Sequence, residues 1–524
     1  MLDMSRNAVM TLDSMKKFLP VLVKMGYNSL FLYTEDVYEI DGEPYFGYLR
    51  GRYSKEEMRE LDKFAKSIGM EVVPCIQTLA HLKSINKWKQ YPMDLADTLL
   101  VDDERTYKLI DKMFSTLSEC FETRRIHIGM DEAHMLGRGT HLDRYGYETN
   151  DVLMRRHLDK VCSIAKKYDY EPMIWSDMFF RGWSGDYLLY KKAEMPKEYI
   201  EALPENVTPV YWDYYSTNEN DYDAMFYKHA QLSDKTWFAG GIWTWAGFAP
   251  FNARSVAVSI PALNQARAHG VENVIMTLWG DNGAECSRFA VLPSLFYVAE
   301  YAKGNTDEAD IKRKFKDMFG IEYDDFSALD LPNELSNAGN PITVYNVCKY
   351  ALYSDYFAGF LDDIVNVGEG EKYEKYASAI RAAGTKAGEY AYLFDTCAIL
   401  CDILADKYEL GINTRKAYKQ NDKAELTRLA NEEYTRIEAN LAKFLPVFRT
   451  QWMKENKPYG FEVQEYRLAG LRERTASCKA RLIDYAEGRL DSIPELEEEI
   501  LPFKGGARHV YFNNFSENFT STVS

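Results

Sequence analysis

The 524-residue chain predicts an α/β fold, a (β/α)8 TIM barrel followed by an all-α helical domain. Three observations predict it: apolar strand-like runs alternate with amphipathic helical stretches for about 300 residues, no glycine-rich phosphate turn follows the first strand, and the strand signals stop near residue 335. The opening Met1 to Arg6 reads as a strand end. Leu12, Met15, Leu19, Leu22 and Val23 then share one helical face closed by Gly26. Asn28 to Tyr33 is the second strand. After a long loop through Tyr45-Phe46-Gly47-Tyr48, Ser54 and Glu57 stand at capping-box spacing before a helix ending near Gly69. Met70 to Ile76 is the third strand, and a helix near 103–121 leads to the fourth. Further strands are expected at 171–177, 207–213, 237–243 and 273–279.

The fourth strand carries the strongest chemical signal. Arg125-Ile126-His127-Ile128-Gly129-Met130-Asp131-Glu132 is an apolar run ending in two adjacent carboxylates, at the end of the strand where barrels build their sites. An Asp-Glu pair also starts helices, so the rest of the rim has to decide. Seven of the nine tryptophans lie between 175 and 279, and Trp175, Trp212, Trp243, Trp245 and Trp279 fall at strand ends. Barrel interiors favour branched aliphatics, whereas indoles at a rim can pack on the apolar face of a sugar. Asp177, Asp213 and Asp281 accompany them, and Arg6 adds a donor at the end of the first strand. Each has a bland alternative as a cap, a filler or a surface charge.

Composition narrows the partners. Sixty-three basic against 80 acidic residues give a net charge of -17, which repels nucleic acid. The eight cysteines are scattered through apolar runs and read as reduced thiols. Cys397 and Cys401 lie one helical turn apart without further ligands, so no metal is expected. No stretch approaches the roughly 20 apolar residues needed to span a bilayer, and no export signal is visible, so a cytoplasmic location without membrane partner is expected. The opening strand is short enough that an upstream segment is expected to precede it. The sequence leaves the oligomeric state open.

These residues resemble glycoside hydrolase family 20, the β-N-acetylhexosaminidases. The family's mark is His-x-Gly-Gly-Asp-Glu at the fourth strand, and His127 to Glu132 departs from it at Met130. Asp3-Met4-Ser5-Arg6 is similar to the family's first-strand Asp-x-x-Arg, His81 to its third-strand histidine, and Trp279-Gly280-Asp281 to its eighth-strand Trp-x-Glu or Trp-x-Asp. Tyr33-Thr34-Glu35-Asp36-Val37-Tyr38 with Tyr45 to Tyr48 resembles a divergent bacterial branch of exo-acting enzymes, like those of streptococci. The likeness covers roughly residues 1–318.

The resemblance implies an exo-β-N-acetylhexosaminidase that removes terminal N-acetylglucosamine, with N-acetylgalactosamine as a further substrate, from a glycan. It implies no cofactor. Glu132 would be the general acid and base, Asp131 would orient the substrate's 2-acetamido group as the nucleophile, and configuration would be retained. Arg6, His81, Trp175, Trp212, Tyr214, Trp243, Trp279 and Asp281 would bind the sugar. The family takes a tyrosine from the seventh strand, where this chain reads Gly240-Gly241-Ile242-Trp243-Thr244-Trp245. Tyr211, Tyr214 and Tyr215 are the substitutes, with Tyr214 favoured by its parity with Trp212. Two other readings remain: a glycosidase using Asp177 or Asp281 as nucleophile, and a non-catalytic sugar-binding protein on the same fold.

From about 335 the pattern is helical, with apolar spacing over 345–366, 372–420, 423–444 and 464–489. Breakers around Asp330-Leu331-Pro332 and Asn337 to Pro341 mark a boundary. The expected division is a barrel over 1–330, a helical bundle over 331–504, and a flexible tail over 505–524. The aromatic segment Trp452 to Phe461 is expected to pack as a loop between helices, or to close over the barrel mouth or a neighbouring subunit.

Overall fold

The computed structural model describes residues 1–337, 343–344, 346–359, 361–501 and 509–510. Most of the expected tail and part of the 337–341 breaker segment fall outside these residues. Eight parallel strands form one sheet in sequence order: β1 (Leu2–Asp3), β2 (Ser29–Tyr33), β3 (Glu71–Cys75), β4 (Arg125–His127), β5 (Glu171–Trp175), β6 (Thr208–Trp212), β7 (Trp237–Gly241) and β8 (Val274–Thr277). The sheet closes where Leu2 pairs in parallel with Leu278 and Asp3 N–H donates to the Leu278 carbonyl at 3.2 Å. A helix follows every strand: 12–25, 55–67, 104–120, 150–166, 177–188, 219–232, 252–268 and 292–302. The barrel expectation is met.

Local chemistry sets the boundaries. Thr11 caps the first helix by accepting from Ser14 N–H, and Gly26 ends it at φ 102°, where an L side chain would be strained. Ser54 and Glu57 form the anticipated reciprocal capping box. Parallel strands buried on both faces have to be apolar throughout. Accordingly Leu30 to Tyr33, Val72 to Cys75 and Pro172 to Trp175 are all buried.

The region after the barrel is helical, with two corrections. The stretch 372–420 is three helices, Lys372–Gly384, Ala391–Lys407 and Leu410–Lys419. The first break allows the first two to pack face to face, and a Cβ added at Gly384 would lie 2.8 Å from Phe394 Cβ. The expected 345–366 helix is only Val347–Tyr353, followed by turns and a short 3-10 segment. Two long helices, Thr435–Glu455 and Phe461–Ala486, complete the packing. Phe248 of the barrel sits edge-on to Phe444 and Phe448 at 5.3 and 5.2 Å. The 3-10 segment Ala328–Asn337 crosses the expected boundary, and within it the Asp330 carboxylate caps the Asn252–Ala268 helix by accepting from the Asn252 and Ala253 N–H groups. No helix among the described residues is long and apolar enough to cross a membrane.

The Trp452 to Phe461 segment does not cover the barrel mouth. It runs alongside the chain that leaves β1: Met10 bridges Asn456, and Lys457 N–H donates to the Val9 carbonyl at 2.7 Å.

Candidate active site

The carboxyl ends of the strands surround a cavity of about 560 Å³ lined by Arg6, His81, Lys83, Asp131, Glu132, Trp175, Trp212, Tyr214, Tyr215, Trp245, Trp279, Asp281 and Asn282. That is the size range of small-ligand sites. A cavity of similar volume opens at the opposite end, between Phe31, Trp237, Leu263 and Val298 among others. It brings no pair of carboxylates together, and barrel catalysis belongs to the carboxyl end.

The turn after β4 aims the two carboxylates. Gly129 adopts φ 73°, and a Cβ there would meet Gln77 Oε1 at 2.1 Å and the Ile76 carbonyl at 2.7 Å, so only glycine fits. Met130 (φ 72°) and Glu132 (φ 53°) are also left-handed. Such strain persists only where surroundings impose it. Met130 N–H donates to Gln77 Oε1 at 3.0 Å, and Glu132 N–H donates to Asp177 Oδ2 at 3.0 Å. The Met130 side chain is fully buried, which offsets the strain of placing a non-glycine residue here.

Asp131 and Glu132 consequently meet different environments. Asp131 is nearly buried; its Oδ1 accepts from Gln77 Nε2 at 2.7 Å and its Oδ2 lies 3.2 Å from His81 Nε2. Burial pushes its carboxyl up, but the His81 charge and hydrogen bonds outweigh that and hold it below the usual carboxylate range. Asp131 is thus a fixed anion. The Glu132 side chain is 41% exposed towards the cavity, with Oε2 3.6 Å from His81 Nε2.

A ring of polar contacts fixes this wall. Gln77 Nε2 also donates to Tyr33 Oη at 2.9 Å, and Tyr33 Oη donates to Glu35 Oε1 at 3.1 Å. Glu35 pairs with Arg6 Nη2 at 3.2 Å, and Arg6 Nη2 lies 3.3 Å from His81 Nδ1, closing the ring back to Asp131. An arginine N–H can only donate, so the last contact holds when His81 Nδ1 is unprotonated. Burial pushes the imidazole pKa down, yet the Asp131 carboxylate raises it to about 9, which favours a proton on both nitrogens. Both forms keep the Nε2 proton facing Asp131; the raised pKa makes the cation the form at neutral pH, with Arg6 beside Nδ1 but not bonded to it.

The opposite wall is aromatic. Tyr214 stacks on Trp212 at 5.3 Å and meets Trp245 edge-on at 5.7 Å. Gly241, at the end of β7, allows this approach, since a Cβ would lie 2.7 Å from Trp245 and 2.9 Å from Tyr214. Trp175 rests on His127 at 4.2 Å, and its buried indole N–H has no partner among the described residues. Burial lowers the His127 pKa to about 3, so that ring is a neutral support.

Nine of the ten predicted site residues therefore line one cavity: Arg6, His81, Asp131, Glu132, Trp175, Trp212, Tyr214, Trp279 and Asp281. The tenth, Trp243, does not. It is fully buried, stacks behind Trp245 at 4.7 Å, and donates its indole N–H to the Tyr214 carbonyl at 3.0 Å. β7 ends at Gly241, so beyond it strand parity no longer decides which indole faces in. Tyr211 also points away, donating to Asp213 Oδ2 at 3.2 Å and packing on Phe226 and Phe238. Lys83, Asn282 and the support Gln77 escaped the sequence reading, and Tyr33 and Glu35, noted there only within a family-like segment, were given no place in the site. Gln77 had one legible signal, its place directly after the third strand.

Asp177 is held at the edge of this arrangement, accepting from Glu132 N–H and from Trp212 Nε1 at 3.4 Å. Burial first, and then the Asp131 charge, raise its pKa. Its oxygens are taken up by these two donors and it is not among the residues that line the cavity, which does not favour it as the nucleophile.

A carboxylate pair at the end of β4, facing an indole wall across a cavity of small-ligand size, is the arrangement of a barrel glycoside hydrolase. Residues 1–221 match the glycosyl hydrolase family 20 catalytic domain, and residues 324–512 match the glycoside hydrolase 20C C-terminal domain. The chain belongs to glycoside hydrolase family 20. It is similar to hexosaminidase D of Homo sapiens (24% identity, 59% of this chain, 66% of that protein) and of Bos taurus (26%, 49% and 72%). Among solved structures it is similar to the Vibrio harveyi GH20 exo-β-N-acetylglucosaminidase, at 15% identity over 63% of this chain and 57% of that one, TM-score 0.47.

Proposed function

We propose that the protein is an exo-acting β-N-acetylhexosaminidase working by substrate assistance on terminal N-acetylglucosamine, and on N-acetylgalactosamine, of a glycan. The observation that carries this is the division of labour between adjacent carboxylates: Asp131 clamped as an anion by Gln77 and His81, Glu132 open to the cavity. Glu132 donates its proton to the glycosidic oxygen as the bond to C1 breaks. The substrate's acetamido oxygen takes the vacated position on C1, giving a cyclic oxazolinium ion. Asp131 accepts the acetamido N–H and balances the positive charge that develops on it. The Glu132 carboxylate then removes a proton from water as it attacks C1, which reopens the ring with configuration retained.

Tyr214, buried among Trp212, Trp245 and the rim, is our choice for the acetamido oxygen: of its two alternatives Tyr211 is turned outwards, and Tyr215, though it lines the cavity, is half exposed and less firmly held. Arg6 and Asp281 supply donor and acceptor for ring hydroxyls. The test compares aryl β-N-acetylglucosaminide with aryl β-glucoside. Cleavage of the acetamido sugar alone, with inhibition by a thiazoline mimic of the oxazolinium ion, supports the reading; equal cleavage of both sugars refutes it.

A further inference from the structure

The corner that follows β8 brings Asp281 and Asn282 into the cavity wall, and its backbone is strained. Asn282 (φ 55°), Gly283 (φ 134°) and Ala284 (φ 50°) are three successive left-handed residues. Non-glycine residues in that region cost on the order of 1 kcal/mol each and need outside support.

The support comes from the helical domain. The Asn282 carbonyl accepts from Lys349 Nζ at 3.0 Å and from Arg467 Nη1 at 2.8 Å, while Arg467 Nη2 donates to Asn282 Oδ1 at 2.9 Å. One helical turn before Arg467, Gln464 Nε2 donates to the Gly283 carbonyl at 2.9 Å. Both cations are neutralised by Glu285, from the same corner, at 2.9 Å from Lys349 and 3.2 Å from Arg467. Lys349 and Glu285 are almost completely buried, so the network works at low dielectric, where charge-assisted bonds are strongest and a missing partner is most costly.

We propose that the helical domain is part of the active site, with Arg467 and Lys349 acting as positioning residues that hold the Asp281–Asn282 corner against the bound sugar. Asp131 and Glu132 hang from a different strand and have their own supports. Loosening the corner should therefore weaken substrate capture and spare the chemical step. The kinetic arm rests on the hexosaminidase reading; the exchange arm does not.

The test uses the full chain. Arg467→Met removes the fork but leaves Glu285 paired with Lys349, which protects the fold. Arg474→Met serves as control, because it breaks a comparable ion pair inside the helical domain, between Arg474 and Asp355 at 2.7 Å. For Arg467→Met we expect amide hydrogen exchange over 280–287 to speed up, and KM for aryl β-N-acetylglucosaminide to rise about tenfold with kcat within about twofold. Arg467→Lys should recover part of the KM, since it restores charge without the fork. The proposal is overturned if KM stays at the wild-type value in Arg467→Met, if kcat falls as much as kcat/KM, or if the Arg474→Met control raises KM equally. Wild-type protein inactive on the glycoside would instead count against the hexosaminidase reading. The exchange comparison would then decide the clamp, unchanged exchange over 280–287 in Arg467→Met overturning it.

Discussion

At the scale of single residues, the site is a set of unequal environments for similar side chains. Asp131 and Glu132 are neighbours, yet one is buried beside a cation and an amide while the other faces the cavity. Asp131→Asn should keep the geometry and remove the charge, so kcat should fall by about 10²–10³ with KM little changed, the cost of one group that stabilises developing charge. The two stacked indoles give a sharper contrast. Trp245→Ala should raise KM, whereas Trp243→Phe should leave KM alone and cost about 1–2 kcal/mol of stability in urea unfolding, being a core substitution.

His81 links protonation to folding. Its folded pKa of about 9 lies above the unfolded value near 6.5, so its contribution is fully present below pH 6.5 and is lost as pH rises through 9. The gap sets an upper bound of about 3 kcal/mol. Melting temperatures of wild type and His81→Gln should converge between pH 6.5 and 9. Parallel curves would show that the neutral form, with Arg6 donating to Nδ1, holds throughout.

At the scale of elements, the turn after β4 decides whether the carboxylates aim correctly. Gly129→Ala would push a methyl into Gln77, the residue that holds both Met130 N–H and Asp131. It should both destabilise the fold and lower kcat, because the clamp on Asp131 moves with it. Met130→Gly poses a contest of magnitudes. Relief of left-handed strain is worth about 1 kcal/mol, and loss of a fully buried methionine costs about 2–5 kcal/mol. Burial should win and the variant should unfold at lower urea.

The alternation of strands and helices was legible because both faces of every strand and one face of every helix must be apolar. The breaks inside 372–420 were not, since the apolar spacing resumes in phase on either side of them. Gly384 and its contact with Phe394 mark the first break only once the helices are packed.

At the scale of the whole molecule, barrel and helical domain share a hydrophobic seam and a polar one. Phe248 meets Phe444 and Phe448 in the first; Glu285, Lys349 and Arg467 make the second. Phe448→Ala should cost about 3–5 kcal/mol. Because the seam is continuous, barrel and helical domain should still unfold together; two separate calorimetric transitions would show that the domains are energetically independent. The net charge of -17 keeps this surface away from polyanions without deciding what it binds.

The sequence by itself determined the barrel, the order of its strands, the carboxylate pair at the end of β4 and most of the aromatic rim, because periodicity and strand ends are local properties of the chain. Tertiary structure decided the rest. Which indole faces the cavity depends on the path of the chain beyond the end of β7; which groups hold Asp131 depends on strands side by side in the sheet but about 50 residues apart in the chain. That Arg467 donates to Asn282 across 185 positions could not be read from either segment alone, since nothing local to a donor or an acceptor names its partner.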